Sequence, residues 1–345
     1  MKKKLVIYSC VALFFAAAFG KALYQYAHAP ANSEGRETTV IILRGQGFAK
    51  TARMLADAGC IRRPAWFLAI ARFTRADTQA RAGEYSFSGA MSPLQILAML
   101  KEGRTVRHKV TVVEGANMGD IALVVEKAGL CAARDFLAAA RDTSLASRMG
   151  FGVRTFEGYL FPDTYFFQKD ATPQDIIRAM TQRFRQVYGK QWENRARELG
   201  LTTSQVVTLA SIIEKETGNG AERDKVASVF HNRLATGMRL QSDPTVIYGL
   251  SAFDGNITHK DLQAFTPYNT YKISGLPPGP IASPGAASLR AALFPAATRY
   301  LYFVSKNDGT HYFSTSLEEH NSAVRRFQLG ARHSSQAQTR QNHAS

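Results

Sequence analysis

The sequence predicts an α+β protein: an N-terminal transmembrane helix, a strand–helix–helix unit present twice, and then a mixed α+β domain. Three observations carry this. An uncharged run over residues 5–20 follows three lysines. Two segments 70 residues apart share one pattern of strand, glycine turn and helix. From about residue 150, aromatic and turn residues cluster and periodic helices follow. With 345 residues, 45% of them hydrophobic, the chain can build about two cores, which excludes wholesale disorder. A net charge of +16 favours an anionic partner, whether nucleic acid, phospholipid surface or acidic wall polymer. Three cysteines, at 10, 60 and 131, supply neither a disulfide framework nor a zinc motif.

Residues 1–4 read as a cytoplasmic tail and 5–26 as a membrane anchor. Sixteen uncharged helical residues reach about 24 Å, short of a ~30 Å hydrocarbon core. The span closes if Lys21 snorkels and the helix runs on towards Tyr24 and Tyr26, which suit the interfacial belt. Lys2–Lys4 predict the N-terminus inside. The competing reading is a signal peptide cleaved at Ala27-His28-Ala29. Either way, residues 30–345 lie outside the cytoplasm, which lowers the nucleic-acid reading of the charge.

The repeat occupies 38–150. Val40-Ile-Ile-Leu-Arg-Gly45 precedes a helical pattern ending Ala58-Gly59, and Val110-Thr-Val-Val-Glu-Gly115 precedes one ending Ala128-Gly129. Ala52 matches Ala122, Phe67 matches Phe136, and Ala71 matches Ala140. Each copy is too small to fold alone, so both are expected to pack with the intervening strand at 83–87 and helix at 93–100. Cys60 and Cys131 hold nearly equivalent places; they read as two buried free thiols, with a disulfide between them the alternative in an oxidising compartment.

The region 151–330 reads as a second domain. It opens with Glu157-Gly-Tyr-Leu-Phe-Pro-Asp-Thr-Tyr-Phe-Phe167 and continues in helices near 173–188, 190–199, 204–217 and 221–236. Seven of the twelve residues at 274–285 are Gly or Pro, a stiff loop. Asn307-Asp308-Gly309 marks a hairpin, and Ser316 to Glu319 has capping-box spacing before a last helix. Residues 331–345 read as a disordered tail.

The helix at 204–217 carries the most chemistry. At about 100° per residue, Glu216 falls about 20° from Leu209, inside the apolar face, while Glu214 falls about 140° away and is expected to face water. Burial raises a carboxyl pKa, and a carboxyl kept protonated near neutrality suits a general acid. A structural bridge from Glu216 to Arg223 or Lys225 is the plainer alternative. Asp163 reads as a turn former or as a second carboxylate. The histidines lack ligand spacing, so neither metal nor cofactor is expected.

These residues resemble a known family. Ala210-Ser-Ile-Ile-Glu-Lys-Glu-Thr217, Glu222-Arg-Asp-Lys-Val-Ala-Ser-Val-Phe230, Asn232-Arg-Leu234, Gly237-Met-Arg-Leu-Gln-Ser-Asp-Pro-Thr-Val-Ile-Tyr248 and Tyr268-Asn-Thr-Tyr-Lys-Ile-Ser-Gly-Leu-Pro-Pro-Gly-Pro-Ile-Ala282 look like the endolytic murein transglycosylases of the YceG-like family. Glu157 to Tyr165 matches the family's other signature. The resemblance implies a single-pass inner-membrane protein with a LysM-like region before a catalytic domain on the extracytoplasmic side. It implies a lyase that cleaves the β-1,4 bond between N-acetylmuramic acid and N-acetylglucosamine, leaves 1,6-anhydro ends, and terminates nascent strands. The catalytic glutamate carries over to Glu216. Glu222, Asn232, Gln241, Asp243, Tyr268 and Asn269 are candidate substrate-binding residues. The implied partners are glycan strands, the inner membrane and, as candidates, peptidoglycan synthases. Nucleic acid is not among them. His231 departs from the family's usual apolar residue. The rival readings are a two-carboxylate muramidase using Asp163 or Glu222, and a non-catalytic wall-binding anchor.

Overall fold

Helix α1 (Lys2–His28) opens the chain, and its stretch Ile7–His28 is long and apolar enough to cross a bilayer. The structure, a computed structural model, describes residues 2–32 and 35–329; the tail expected at 331–345 lies outside them. The chain mixes helix with three two-stranded sheets among the described residues. It divides into two units, Met1–His108 with Phe166–Ala171, and Lys109–Tyr165 with Thr172–Ser345.

In the first unit, β1 (Glu37–Ile42) leads to α2 (Phe48–Asp57), α3 (Pro64–Phe73) and the single turn α4 (Ala76–Gln79). Strand β2 (Gly83–Ser88) and α5 (Pro93–Glu102) complete it. β1 and β2 pair antiparallel, with Val40 opposite Tyr85 and Ile42 opposite Gly83. Alternation turns Val40, Ile42, Tyr85 and Phe87 inward, where they meet Leu55, Phe67, Ile96 and Leu100. Ala27, at the end of α1, is part of this core, and Leu23 and Tyr26 pack against it.

Strand β3 (His108–Thr111) carries the chain into the second unit, where α6 (Met118–Lys127), α7 (Ala133–Ala140) and α8 (Thr143–Arg148) follow. Both copies of the repeat are thus strand, helix, helix. Their matched residues are buried alike: Ala52 and Ala122, Phe67 and Phe136, and Ala71 and Ala140 are all 0% exposed. Gly59 and Gly129 stop the first helices at φ +73° and +70°. Only the first copy joins β2 and α5. The second folds with the C-terminal region, so the compact division falls between the copies rather than at 150. Cys60 and Cys131 are free thiols, one in each unit.

The chain continues with β4 (Thr164–Phe167), α9 (Pro173–Val187) and α10 (Lys190–Glu198). Next come α11 (Thr203–Glu216), α12 (Arg223–Ala235), α13 (Asp243–Gly249) and α14 (His259–Gln263). Helix α15 (Ala286–Leu293), the hairpin β5 (Tyr302–Ser305) and β6 (His311–Ser314), and α16 (Leu317–Val324) close the second unit. The hairpin turns through Asn307 at φ +62° and Gly309 at φ +81°, as its sequence requires. At α16 only half of the expected capping box forms. Ser316 Oγ accepts from the Glu319 N–H, while the Glu319 carboxylate accepts from the Thr315 N–H.

Helix α11 is the axis of this unit. Every residue from Val206 to Ile213 is buried, Thr208 and Ser211 included. A polar side chain inside such a helix must find a partner. Thr208 Oγ1 donates to the Ser204 carbonyl, and Ser211 Oγ donates to the Thr208 carbonyl while accepting from the Ile281 N–H. The Ile281 bond ties the Gly/Pro-rich loop to α11. The same loop pairs with the second copy's turn through Gly115 and Ser283.

Candidate active site

Thr202 and Gln205 start α11 with a reciprocal capping box, and the backbone turns extended at Thr217 (φ −138°). Glu216 is therefore the last helical residue, carried to the edge of the core. Burial pushes its carboxyl up to about 7; Ser242 opposes this with a hydroxyl donated to Oε1 at 2.5 Å. The nearby negative charge of Asp243 raises it further, and the Arg233 guanidinium lowers it.

Each neighbour is held in turn. Ser242 is 1% exposed, and its N–H donates to Thr270 Oγ1 at 2.9 Å. Gln241, at φ +49°, makes the tight bend before it. Arg233, buried on α12, donates Nε to the Leu301 carbonyl at 2.7 Å and Nη1 to the Leu240 carbonyl at 2.6 Å. Tyr271 donates its hydroxyl to Asp243 at 2.7 Å. A carboxyl that titrates near 7, with a hydroxyl donor and a cation to receive its ionised form, can give up a proton and take one back. The plainer expectation, a bridge from Glu216 to Arg223, is not what forms: Arg223 faces Glu214.

A second buried carboxyl stands at the other end of α13. Glu157, 4% exposed, accepts from the Met118 N–H at 3.1 and 3.2 Å and from the Tyr248 hydroxyl at 3.0 Å. Burial pushes it up to about 7 against those hydrogen bonds. Gly158 makes its placement possible: φ is +81°, and a Cβ there would come within 2.5 Å of Pro280 and 2.9 Å of Val207. Glu157 lines a cavity of about 590 Å³ with Arg154, Tyr159, Tyr268 and Pro278–Pro280. The α13 segment thus donates from Ser242 to Glu216 and from Tyr248, about 9 Å further along the helix, to Glu157. Sequence reasoning misses Glu157 as a site residue. Its signal is an acidic residue between Phe156 and Tyr159-Leu160-Phe161.

The structure sorts the other expected residues. Asp243 lies beside Glu216, and the exposed Gln241 adjoins Ser242. Tyr268, which lines the Glu157 cavity, packs at a tilt against Tyr248 (4.8 Å between ring centroids, 58° between planes). Three candidates are spent on the fold. Asn269, 0% exposed, donates to the Leu262 and Ala264 carbonyls and accepts from the Tyr271 N–H. Asn232 donates to the Thr298 and Tyr300 carbonyls. Glu222 accepts from the backbone and ring of His311. Asp163 is held by Arg183 at 2.7 Å, and its negative charge is stabilised by the Thr164 N–H. His231 donates from its ring Nε2 to the Ala292 carbonyl at 2.8 Å, a packing role.

Glu214 corrects an expectation. Its side chain is 7% exposed, accepts from the Gly285 N–H at 2.8 Å, and faces Arg223 at 3.5 Å. It does not face water, because α15 and its leading loop cover that side of α11. Among the described residues, no group of three or more His, Cys, Asp or Glu side chains is placed to hold a metal ion.

Known proteins resemble this chain in sequence and in fold. An endolytic murein transglycosylase of Bacillus subtilis (strain 168) is 32% identical over 326 residues, covering 90% of this chain and 89% of that one. An endolytic murein transglycosylase of Streptococcus pneumoniae serotype 2 is 29% identical over 93% of this chain, which spans 65% of that longer protein. The crystal structure of a yceG-like protein from Listeria monocytogenes superposes with a TM-score of 0.58 at 34% identity, covering 84% of this chain and 99% of that one. The YceG-like family model matches residues 40–326, from β1 to α16 and the turn after it, and the chain belongs to the YceG-like family.

Proposed function

We propose that this chain is an endolytic murein transglycosylase, a lyase that cuts the β-1,4 bond between N-acetylmuramic acid and N-acetylglucosamine within peptidoglycan strands. The observation that carries the reading is the buried Glu216 carboxyl, poised near 7 and held by Ser242. The names of the relatives support it. In the first step Glu216 protonates the glycosidic oxygen, and the bond to the muramic C1 breaks. The resulting carboxylate is stabilised by Ser242 and Arg233. It then takes the proton of the muramic C6 hydroxyl, whose oxygen attacks C1 and closes a 1,6-anhydro ring. A tethered hydroxyl needs neither an activated water nor a second enzymic carboxylate. Cleavage within nascent strands would terminate their elongation. Gln241 and Asp243 flank Ser242 as substrate contacts, with Tyr268 on the neighbouring cavity.

The anchor reading places α1 across the inner membrane with Lys2–Lys4 inside and residues 30–345 outside. The packing of Ala27, Leu23 and Tyr26 into the first unit supports retention, since cleavage after Ala29 would strip side chains from that core. Each strand–helix–helix copy, one in each unit, is a LysM-like module that contacts glycan. Digestion of purified glycan strands in ¹⁸O-labelled water tests the chemistry. Internal cuts ending in unlabelled 1,6-anhydro-muramic acid are expected; labelled reducing ends would show hydrolysis, and no cleavage would leave a wall-binding anchor.

A further inference from the structure

We propose that the junction of α1 and α3 binds the phosphate headgroup of an anionic phospholipid. A cavity of about 350 Å³ opens there, lined among others by Tyr26, Pro30, Arg62, Arg63, Trp66 and Pro93. Trp66 is its wall, edge-on to Phe19 at 5.7 Å and to Tyr26 at 5.6 Å. The Arg63 guanidinium lies 4.6 Å over the Trp66 ring. The Tyr26 hydroxyl donates to the Arg63 carbonyl at 3.0 Å, and Arg62 Nε donates to the Ala31 carbonyl at 2.5 Å. The Ala31 bond holds the Arg62 guanidinium through Nε, and the Tyr26 bond holds the backbone at Arg63, whose guanidinium rests on Trp66. Among the described residues neither guanidinium forms an ion pair with Asp or Glu.

The depth of this cavity names its occupant. Counted from Ile7, about 20 helical residues cross the hydrocarbon, which ends near Tyr26. The cavity then opens at headgroup height, where Trp and Tyr settle and where arginine meets lipid phosphate. The surroundings agree: residues 61–75 hold four arginines and no acidic residue, and Phe73 at the end of α3 is 92% exposed. The apolar wall runs continuously from Phe19 on α1 to Trp66, so an acyl chain can follow the phosphate. A free phosphate ion would use only the arginines.

The proposal rests on α1 lying in a bilayer, and the test separates the two. The full chain is reconstituted in vesicles of phosphatidylcholine with phosphatidylglycerol, checked by flotation, then solubilised for native mass spectrometry of retained lipid. Wild type should retain phosphatidylglycerol in preference to phosphatidylcholine. Arg62→Gln with Arg63→Gln should lower that preference roughly 5-fold per arginine while still floating and still cutting glycan. Arg72→Gln with Arg75→Gln should keep it. Flotation without any headgroup preference, or an unchanged preference in the Arg62/Arg63 variant, would overturn the site alone. Displacement of the lipid by millimolar inorganic phosphate would overturn its lipid character. Failure of wild type to float would overturn the anchor and the site together.

Discussion

Replacing Glu216 by Gln should disable the protein and stabilise it at alkaline pH. The folded carboxyl titrates near 7, against an ordinary value of 4.5, because burial disfavours its charge. The folded state therefore holds the proton more tightly than the unfolded state. The stabilisation is complete below pH 4.5 and is lost as the pH rises through 7. By pH 8.5 the ionised Glu216 costs about 3 kcal/mol, since every pH unit separating the folded from the ordinary value is worth roughly 1.36 kcal/mol. Gln keeps the size and still offers Oε1 to the Ser242 hydroxyl, but never ionises. Urea unfolding of the full chain in detergent should give matched stability at pH 4 and a variant more stable by about 3 kcal/mol at pH 8.5. Glycan cleavage should fall by ~10²–10⁴ at every pH. Parallel stability profiles for the two proteins would refute the reasoning, since Glu216 would then not titrate near neutrality. Full activity in the variant would refute its role as acid.

Ser242→Ala removes the hydroxyl that favours the Glu216 carboxylate, so the alkaline limb of the activity profile should move up by about one pH unit, with a lower maximum; an unmoved limb would detach Ser242 from the acid. Glu214→Ala leaves Arg223 buried without its partner and the Gly285 N–H without its acceptor, so unfolding should show a loss of about 3 kcal/mol with little change in turnover per folded molecule. No loss of stability would mean that Glu214 is solvated after all. Glu157→Gln and Tyr248→Phe should couple in a double-mutant cycle by roughly 0.5–3 kcal/mol, because they share a hydrogen bond; additive effects would deny the contact at the far end of α13.

The burial of Glu216 was legible because a helix places residues 209 and 216 on one side whatever surrounds it. Glu214 was not, for a related reason. A helical wheel divides apolar from polar azimuths, but α11 is covered all round, as buried Thr208 and Ser211 show. What lies opposite Glu214 is Gly285, 71 residues later in the chain. The bonding of the asparagines was hidden for a different reason. Asn269 sits in a turn where its carbonyl accepts the N–H two residues on, a local use open to any turn asparagine. Nothing in the sequence separated that use from a sugar contact. The strands, glycine stops and hairpin were readable, since each needs only nearby residues. The grouping of the second copy with the C-terminal region depends on long-range pairing, such as Gly115 with Ser283, and was not.

Helix α1 passes without a break from its apolar stretch into the core that holds Ala27. A flexible linker would let the first unit sample a wide volume above a bilayer. A continuous helix fixed in the core gives it no slack. With α1 in the membrane as proposed, this unit stands as a stiff post at one height and searches in two dimensions only. Its encounters are then set by lateral diffusion, and a glycan chain must come down to that plane to be met. Inserting a glycine-rich stretch after His28 would change reach and search together, leaving the chemistry at Glu216 as it was.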